Sequence, residues 1–216
     1  EPVFPCRIQT NLSAVEAYEY RAEKRLAPSI KSAKPRVLIP VFPGTNCEYD
    51  TARAFERAGA QPEVLVIKNL SALAIEESVN EAAKLIGKSQ IIMIPGGFSG
   101  GDEPDGSGKF ITAFFRNPKI KDAVHEMLKN RDGLMLGICN GFQALIKLGL
   151  VPYGEITDMT NESPTLTFNT IARHQSMMVT TRIASNKSPW LANCNAGDLH
   201  TIPISHGEGR FVAPQS

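Results

Sequence analysis

The sequence has little net charge, no long apolar segment and few aromatic residues. Its 23 Lys and Arg residues are balanced by 22 Asp and Glu residues, which leaves a net charge of +1. This balance gives no support for binding to nucleic acid or to an anionic membrane. No apolar run approaches the roughly 20 residues that a transmembrane helix needs. We therefore expect neither nucleic acid nor membrane as a partner.

The sequence also lacks clustered cysteines. Its four cysteines are far apart and form no CxxC pair or metal-ligand spacing: Cys6, Cys47, Cys139 and Cys194. In a chain of this size they are typical of the reduced thiols of a cytoplasmic protein. The same scatter predicts no metal site.

The length of 216 residues is enough for one sizeable core with some excess. Residues 12–26 place apolar side chains at helical spacing, and KSAKP at 31–35 is typical of a linker. We therefore expect residues 1–34 to be an amphipathic helix and linker from a preceding region, and residues 35–216 to form the main domain. Because the sequence begins without Met and stops soon after FVAP, we expect a piece of a longer polypeptide with a truncated C-terminus.

Short apolar segments alternate with amphipathic ones from residue 36 onward. Four segments are apolar throughout, as strands are when helices cover both faces of a parallel sheet: 36–42, 62–68, 90–97 and 133–139. Helices are predicted from a cap at Thr45 or Asn46 to Gly59, and over about 75–87, 109–129 and 140–149. The pattern predicts an α/β fold, a doubly wound and mostly parallel sheet with helices on both faces. Short additional strands are predicted in the last third, at 165–168, 176–183 and 199–205.

One cysteine stands where an apolar strand is expected to stop and a helix to begin. Gly137-x-Cys139-x-Gly141 has the form of a nucleophile elbow, a sharp strand–turn–helix arrangement that lifts one side chain above the sheet. Free N–H groups and the positive dipole end of the helix favour a thiolate there. Cys139 is therefore the candidate nucleophile. The alternative, a buried structural cysteine, is the default for Cys47 and Cys194.

A thiol nucleophile needs a base, and the base needs an orienting group. His206-x-Glu208 follows a predicted strand, and residues at i and i+2 of an extended segment point to the same side. A carboxylate at 208 can then hold the imidazole at 206. The alternative is a surface histidine beside a solvated glutamate.

The glycine pair Gly96-Gly97 follows another predicted strand. Acyl transfer through a thioester develops an oxyanion, which requires two N–H donors aimed at it. We expect these donors to be the N–H groups of Gly97 and Asn140. A simple turn that ends a strand is the alternative.

Three of these stretches, PGGF, GICNGFQ and HGEGRF, occur in the order found in class I (triad-type) glutamine amidotransferases, which the sequence resembles. More specifically, PGTNCEYDTARAFERAG (43–59), PGGFSGGDE (95–103) and SHGEGRF (205–211) resemble the glutaminase domain of the phosphoribosylformylglycinamidine synthases, which are enzymes of purine biosynthesis. The resemblance covers about residues 35–213. It implies a flavodoxin-like sheet and a fused long-chain form in which residues 1–34 are the tail of the preceding region.

The resemblance also implies a role for each candidate residue. Cys139 would attack the side-chain amide carbon of glutamine, and His206, oriented by Glu208, would protonate the departing ammonia. The resemblance assigns substrate contacts to Gly96, Phe98, Gln143, His174 and Ser176, although Gln143 is alternatively an exposed helix residue. It implies no cofactor in this domain, because ATP and magnesium are needed only in the partner synthetase domain that receives the ammonia.

Three alternatives to this interpretation remain open. The first is a non-catalytic or conditionally active docking module, and the second is an amidotransferase that serves another synthetase. The third is an unrelated α/β cysteine hydrolase with a similar elbow. The intact set of Cys139, His206 and Glu208 argues against lost chemistry but not against an idle isolated domain, and PGTNC and HGEGRF argue against the second. Gln143 and the HxE far downstream argue against the third.

Overall fold

A computed structural model of the chain describes residues 19–23, 28, 30–101 and 107–214. Its centre is a four-stranded sheet in which every strand pairs in parallel with its neighbours, in the order β2-β1-β3-β4. The strands are β1 (Arg36–Val41), β2 (Gln61–Val66), β3 (Ile91–Ile94) and β4 (Leu134–Gly137). The predicted α/β fold with a parallel sheet is confirmed.

Helices cover both faces of this sheet. They are α1 (Glu48–Arg57), α2 (Ala72–Ile86), α3 (Lys109–Phe115), α4 (Pro118–Asn130), α5 (Asn140–Lys147) and α6 (Leu150–Tyr153). Alternate strand residues face opposite ways, so Leu38 and Ile92 join the larger apolar cluster with side chains of α2 to α5. Val37 and Met93 face the other way and pack with Phe55 of α1. This two-sided burial explains why the central strands are apolar throughout.

The predicted helix over 109–129 is wrong as a single helix. The chain leaves α3 after Phe115 and starts again at Pro118, the first residue of α4. Proline has no N–H to donate and is accepted in the first turn of a helix, while the residue before it avoids the helical region. Asn117 caps the new helix, with its Oδ1 accepting a hydrogen bond from the Lys119 N–H at 3.0 Å.

Two further helix predictions differ from the structure. The N-cap of α1 is Cys47, at φ 65°, and its side chain makes no capping hydrogen bond. The Thr45 hydroxyl instead accepts from the Phe42 N–H at 3.0 Å and tightens the preceding turn. Of the predicted helix 12–26, only residues 19–23 are described. They are not helical, since Tyr20 forms a β-bridge with Ser185.

The last third contains four short strands. β5 (Thr165–Thr167) pairs antiparallel with β8 (Arg210–Val212), and β6 (Gln175–Arg182) pairs with β7 (Leu199–His206). β5, β6 and β7 match the predicted extra strands, whereas β8 was not predicted because RFV is too short to show a pattern. Helix α6 was also not predicted.

The chain divides into two compact units, residues 1–27 with 178–203 and residues 28–177 with 204–216. In the first unit, the Ala22 N–H donates to Asn186 Oδ1 at 2.8 Å and Arg182 pairs with Glu19 at 2.9 Å. The second unit contains the parallel sheet and all the candidate site residues. The boundary predicted at residues 34 and 35 stays a prediction. Within the described ranges, no helix has the length and apolar character needed to cross a membrane.

Candidate active site

Cys139 lies on a strained turn between β4 and α5. β4 ends at Gly137, α5 begins at Asn140, and Cys139 has φ 52° and ψ −108°. A positive φ is rare for a residue with a side chain and marks stored strain that often belongs to a functional site. The side chain is exposed, which excludes the alternative of a buried structural cysteine.

The two glycines around Cys139 are required by close backbone approaches. A Cβ on Gly137 would lie 2.6 Å from the backbone of Gly141, and a Cβ on Gly141 would overlap the Ile94 carbonyl oxygen. The Gly141 N–H also donates to Pro95 O at 3.1 Å. The turn is therefore clamped directly onto the end of β3, and any larger residue at either position would displace Cys139.

The glycine pair after β3 lies next to this turn. A Cβ on Gly96 would lie 3.3 Å from the Cys139 Cβ, so the chain at Gly96 runs beside the nucleophile candidate. Gly97 has φ 121° and forms an antiparallel bridge with Thr45. The N–H of Gly97 has no hydrogen-bond partner within the described part of the chain. Its role as one of the two oxyanion donors stays a prediction.

The start of α5 is tied to the same loop. The Ser99 N–H donates to the side-chain Oδ1 of Asn140 at 3.3 Å, and Asn140 is buried. The second predicted donor, the Asn140 backbone N–H, is therefore held on a segment that is fixed to the Gly96-Gly97 loop. The assignment of these two groups as an oxyanion hole stays a prediction.

The end of β7 reaches the cysteine. The Cys139 thiol lies 3.6 Å from the carbonyl oxygen of Ser205, the residue before His206. The ring of His206 is half-buried, and its Nδ1 lies 3.0 Å from Oδ1 of Asn169. The fold thus brings the predicted base segment to the predicted nucleophile.

The carboxylate of Glu208 hydrogen-bonds away from the imidazole. Glu208 is buried, and its Oε2 accepts from the Ser107 N–H at 3.1 Å and lies 3.7 Å from Lys147 Nζ. Lys147 also donates to Ser107 O at 2.6 Å. Among the described residues, the ring of His206 and the carboxylate of Glu208 therefore have different partners. The predicted orienting role of Glu208 stays a prediction.

Gln143 connects α5 to the segment that carries the predicted base. Its Nε2 donates to the backbone oxygen of Glu208 at 2.9 Å, and its Oε1 accepts from Asn140 Nδ2 at 3.2 Å. Gln143 is buried, so the alternative of an exposed helix residue is wrong. In this conformation its amide links α5 to the segment that carries His206. Its contact with the substrate stays a prediction.

The remaining predicted substrate contacts lie at the surface of the same unit. Phe98 is 59% exposed, which leaves its ring available to a ligand. His174 is exposed and its Nε2 lies 2.9 Å from Ser205 Oγ, next to the base segment. Ser176 is exposed on β6. Among the described residues, no cluster of His, Cys, Asp or Glu has the arrangement of a metal site.

Three site residues were missed at the level of sequence: Ser107, Lys147 and Asn169. Asn169 and His206 are 37 positions apart, and no spacing rule connects them. Lys147 is indistinguishable in the sequence from a solvated lysine in the last turn of a helix. Only the position of Asn169 after a predicted strand, where side chains gather at the edge of the site, could have indicated it.

A family model described as the CobB/CobQ-like glutamine amidotransferase domain matches residues 34–216. The chain therefore belongs to this family of glutamine amidotransferase domains, which confirms the resemblance seen in the motifs.

The chain is similar to proteins named phosphoribosylformylglycinamidine synthase subunit PurQ. One from Methanococcus maripaludis is 38% identical over 184 residues, which covers 84% of this chain and 61% of that protein. One from Treponema denticola is 36% identical over 187 residues and covers 83% and 64%, respectively. The chain thus spans less than two thirds of the length of these relatives. That it comes from a fused long-chain form stays a prediction.

The structure is similar to a solved structure described as PurLQS from Thermotoga maritima. The TM-score is 0.62 at 27% sequence identity, and the match covers 84% of this chain and 71% of the other.

Proposed function

We propose that the chain hydrolyses glutamine to glutamate and ammonia through a thioester on Cys139, and that the ammonia is used by a synthetase that makes formylglycinamidine ribonucleotide in purine biosynthesis. The observation that carries the proposal is the strained, exposed Cys139 on a glycine-clamped turn, beside Gly96 and 3.6 Å from Ser205 O, in a glutamine amidotransferase domain. The relatives named as subunits of phosphoribosylformylglycinamidine synthase support the destination of the ammonia.

The first half of the reaction forms the thioester. His206 takes the proton of the Cys139 thiol, and the resulting thiolate attacks the side-chain amide carbon of glutamine as the carbonyl electrons move onto oxygen. The N–H groups of Gly97 and Asn140 stabilise this oxyanion. When the carbonyl re-forms, the carbon–nitrogen bond breaks and His206 donates a proton to the leaving nitrogen, which departs as ammonia.

The second half releases glutamate. His206, now neutral, takes a proton from a water molecule as the water oxygen attacks the thioester carbon. The same two N–H groups hold the second oxyanion. The carbon–sulfur bond then breaks, glutamate leaves, and Cys139 returns to its starting state. This chemistry needs no cofactor, and ATP and magnesium are needed only by the synthetase. A cytoplasmic location, where purine precursors are made, is part of the proposal.

A conditionally active form of the same domain is the second candidate. The bonds of the Glu208 carboxylate to Ser107 and Lys147 favour it, because a carboxylate engaged there does not orient His206. A loaded synthetase that draws Ser107 away would release Glu208. Glutamine hydrolysis would then start only when the ammonia can be used.

The test compares ammonia release and adduct formation with glutamine, with and without the synthetase. We expect mass spectrometry to detect a glutamyl adduct on Cys139 and Cys139→Ala to abolish both adduct and ammonia. Cys47→Ala is the matched control, because Cys47 is also exposed and also has a positive φ, yet lies at the start of α1. The proposal is wrong if no adduct forms in either condition and Cys139→Ala leaves ammonia release unchanged.

The same experiment separates the two candidates. An adduct without the synthetase indicates a constitutive glutaminase, whereas an adduct only in its presence indicates the conditionally active form. Gly97→Ala adds a Cβ 2.8 Å from the Asn46 nitrogen and disturbs the oxyanion donor. We expect it to lower the rate of adduct formation by about 10²- to 10³-fold, the usual effect of losing one such donor.

A further inference from the structure

We propose that the groove between helix α3 and residues 159–165 binds a small anion that carries a phosphate group, with Arg116 as its main anchor. Inorganic phosphate and phosphate monoesters share this chemistry. The lining of the groove includes neither Cys139 nor His206, so the site is additional to the one proposed for glutamine and does not depend on it.

The groove has the size of a site for one small molecule. Its volume is about 600 Å³, and α3, the last turn of α5 and the 159–165 segment form its walls. Sites for small ligands usually have volumes of about 300–1,000 Å³ and are lined mostly by apolar side chains. Here most of the lining side chains end in a hydroxyl, an amide or a positive charge. The ligand that matches this lining is polar and charged.

The lining is positively charged although the chain as a whole is balanced. Lys109, Arg116 and Lys147 line the groove, and within the described part of the chain no acidic side chain does so. The whole chain, in contrast, has 23 basic and 22 acidic residues. A concave surface with charge of one sign attracts ions of the opposite sign. The groove therefore favours an anion.

Lys147 is already engaged with other groups. Its Nζ donates to Ser107 O at 2.6 Å and lies 3.7 Å from Oε2 of the buried Glu208. The charge of Lys147 is thus balanced in part by a carboxylate, and we assign it no direct contact with the ligand. The anchor for the anion is therefore expected on α3.

Arg116 is held in place and keeps donors for a ligand. Its Nη2 donates to the carbonyl oxygen of Lys147 at 3.2 Å, which fixes the guanidinium beside the groove. A guanidinium has five N–H donors in a rigid fork, and among the described residues no carboxylate pairs with this one. The side chain is exposed, so its fork can bind two oxygens of one phosphate.

The spacing along α3 places its lining residues on one side of the helix. Thr112 and Ala113 follow Lys109 by three and four positions, and Arg116 follows them by four and three, which is about one turn each time. Ala113 is exposed and has only a methyl group, so it leaves space between the two basic side chains. A larger side chain at 113 would fill this space and block the groove without changing its charge.

The other wall supplies hydroxyl groups on a segment that is shaped by its own hydrogen bonds. The Thr160 N–H donates to Ser163 Oγ at 3.0 Å, and the Ser163 N–H donates to Thr160 O at 3.0 Å. Thr165, at the start of β5, adds a third hydroxyl to the lining. A phosphate group has three strong acceptor oxygens, enough for Arg116 and for these hydroxyls, whereas a carboxylate has two. Phosphate is therefore the anion that fits this set of donors.

Binding can be measured on the full chain by isothermal titration calorimetry, and the site can be located from ¹H–¹⁵N NMR spectra. The probes are inorganic phosphate, ribose 5-phosphate and AMP, with sodium acetate and sodium chloride at equal ionic strength as controls. We expect the phosphate probes to bind and to shift the amide signals of Ala113, Arg116 and Thr160. Tighter binding of the two esters would identify a phosphate monoester as the ligand, and equal binding of all three would identify the free ion.

Two variants test the groove itself. Arg116→Gln should weaken binding of the probes by about 10-fold or more, because it removes charge-assisted hydrogen bonds to the phosphate. Its matched control is Arg57→Gln, the same change at an exposed arginine in the last turn of α1. Ala113→Leu should abolish binding by filling the groove, and Ala54→Leu, at an exposed position of α1, is its control. All four side chains are exposed, so the variants should keep the fold, which circular dichroism checks.

The proposal is overturned if none of the phosphate probes binds, or if Arg116→Gln and Ala113→Leu bind them as tightly as the parent chain. It is also overturned if acetate binds as tightly as phosphate, because the groove would then select carboxylates, such as those of an acidic protein segment. None of these measurements uses glutamine, so their outcome is distinct from a failure to form the thioester on Cys139.

Discussion

A single residue, Gly141, allows the close backbone contact on which the geometry of the candidate site depends. The first turn of α5 passes directly over the end of β3, so a Cβ on Gly141 would overlap the Ile94 carbonyl oxygen. Backbone atoms of a central strand cannot move aside as a flexible side chain can. The position of Cys139 two residues earlier therefore depends on the absence of a side chain at 141.

We predict that Gly141→Ala lowers the free energy of unfolding by at least about 2 kcal/mol, since the overlap is with backbone. Urea unfolding followed by circular dichroism measures the change. Gly87→Ala, at the end of α2, is the control, because a Cβ there would make only ordinary contacts and φ is −58°. An equal effect of the two substitutions would contradict the crowding seen at Gly141.

His125 predicts a dependence of stability on pH. Burial lowers the pKa of His125 below 6.5, and the nearby charges of Lys129 and Lys121 lower it further. Its Nε2 accepts from the Ile156 N–H, so a proton on this nitrogen would break the bond. Because the unfolded chain then binds the proton more readily, the stabilisation is complete above the unfolded pKa and is lost as the pH falls through the folded pKa.

We therefore predict that the free energy of unfolding declines as the pH falls below about 6.5. His125→Gln, which keeps an acceptor but does not titrate in this range, should flatten the decline. The measurement is urea unfolding at a series of pH values, with His200→Gln as a control at an exposed ring. If the free energy of unfolding of His125→Gln declines with falling pH as steeply as that of His200→Gln and the parent chain, His125 is not the responsible group.

At the scale of elements, the break between α3 and α4 shows where periodicity misleads. Apolar residues on both sides of the break, Phe115 and Ile120 among them, are buried in the same cluster. The pattern therefore favours one helix. The Asn117-Pro118 pair decides otherwise, because proline cannot donate to the preceding turn.

We predict that Asn117→Ala lowers the free energy of unfolding by about 0.5–2 kcal/mol, the usual value of a helix N-cap. Asn117→Asp keeps an acceptor for the Lys119 N–H and adds a negative charge at the positive end of the helix, so it should retain most of the stability. Thermal or urea unfolding of the three proteins tests this order. A loss as large for Asp as for Ala would show that the cap does not act through its acceptor.

At the scale of the whole molecule, Lys147 joins segments that are far apart in the sequence. From the end of α5 it reaches both Ser107 O and the buried Glu208 carboxylate. Removing the lysine takes away the charge that pairs with a buried carboxylate, whose hydrogen-bond donor among the described residues is the Ser107 N–H. The cost of such a loss exceeds that of a surface ion pair, because the buried charge cannot recover its hydration.

We predict that Lys147→Met lowers the free energy of unfolding by about 1.5–3 kcal/mol. Glu208→Gln should reduce this penalty, so the double variant should lose less than the sum of the two single changes. A double-mutant cycle by urea unfolding measures the coupling. Additive effects would mean that the two side chains do not interact in solution.

The succession of the four central strands and the elbow at Cys139 could be predicted from the amino-acid sequence. These features depend on neighbours within a few positions: apolar runs that cover both faces of a sheet, and glycines at Gly137 and Gly141. It also indicated His206 and Gly97 through their motifs. Such features can be predicted because they depend on residues that are close together in the sequence.

The contacts of His206 and Glu208 could not be predicted from the sequence, because they join residues that are distant along the chain. Asn169 lies 37 positions before His206, and Ser107 lies 101 positions before Glu208, yet each pair is within hydrogen-bond distance. The HxE spacing permits Glu208 to face the ring, but a buried carboxylate binds the donors nearest to it in space, here the Ser107 N–H and Lys147. The folded chain determines these hydrogen-bond partners, and the spacing of residues in the sequence does not predict them.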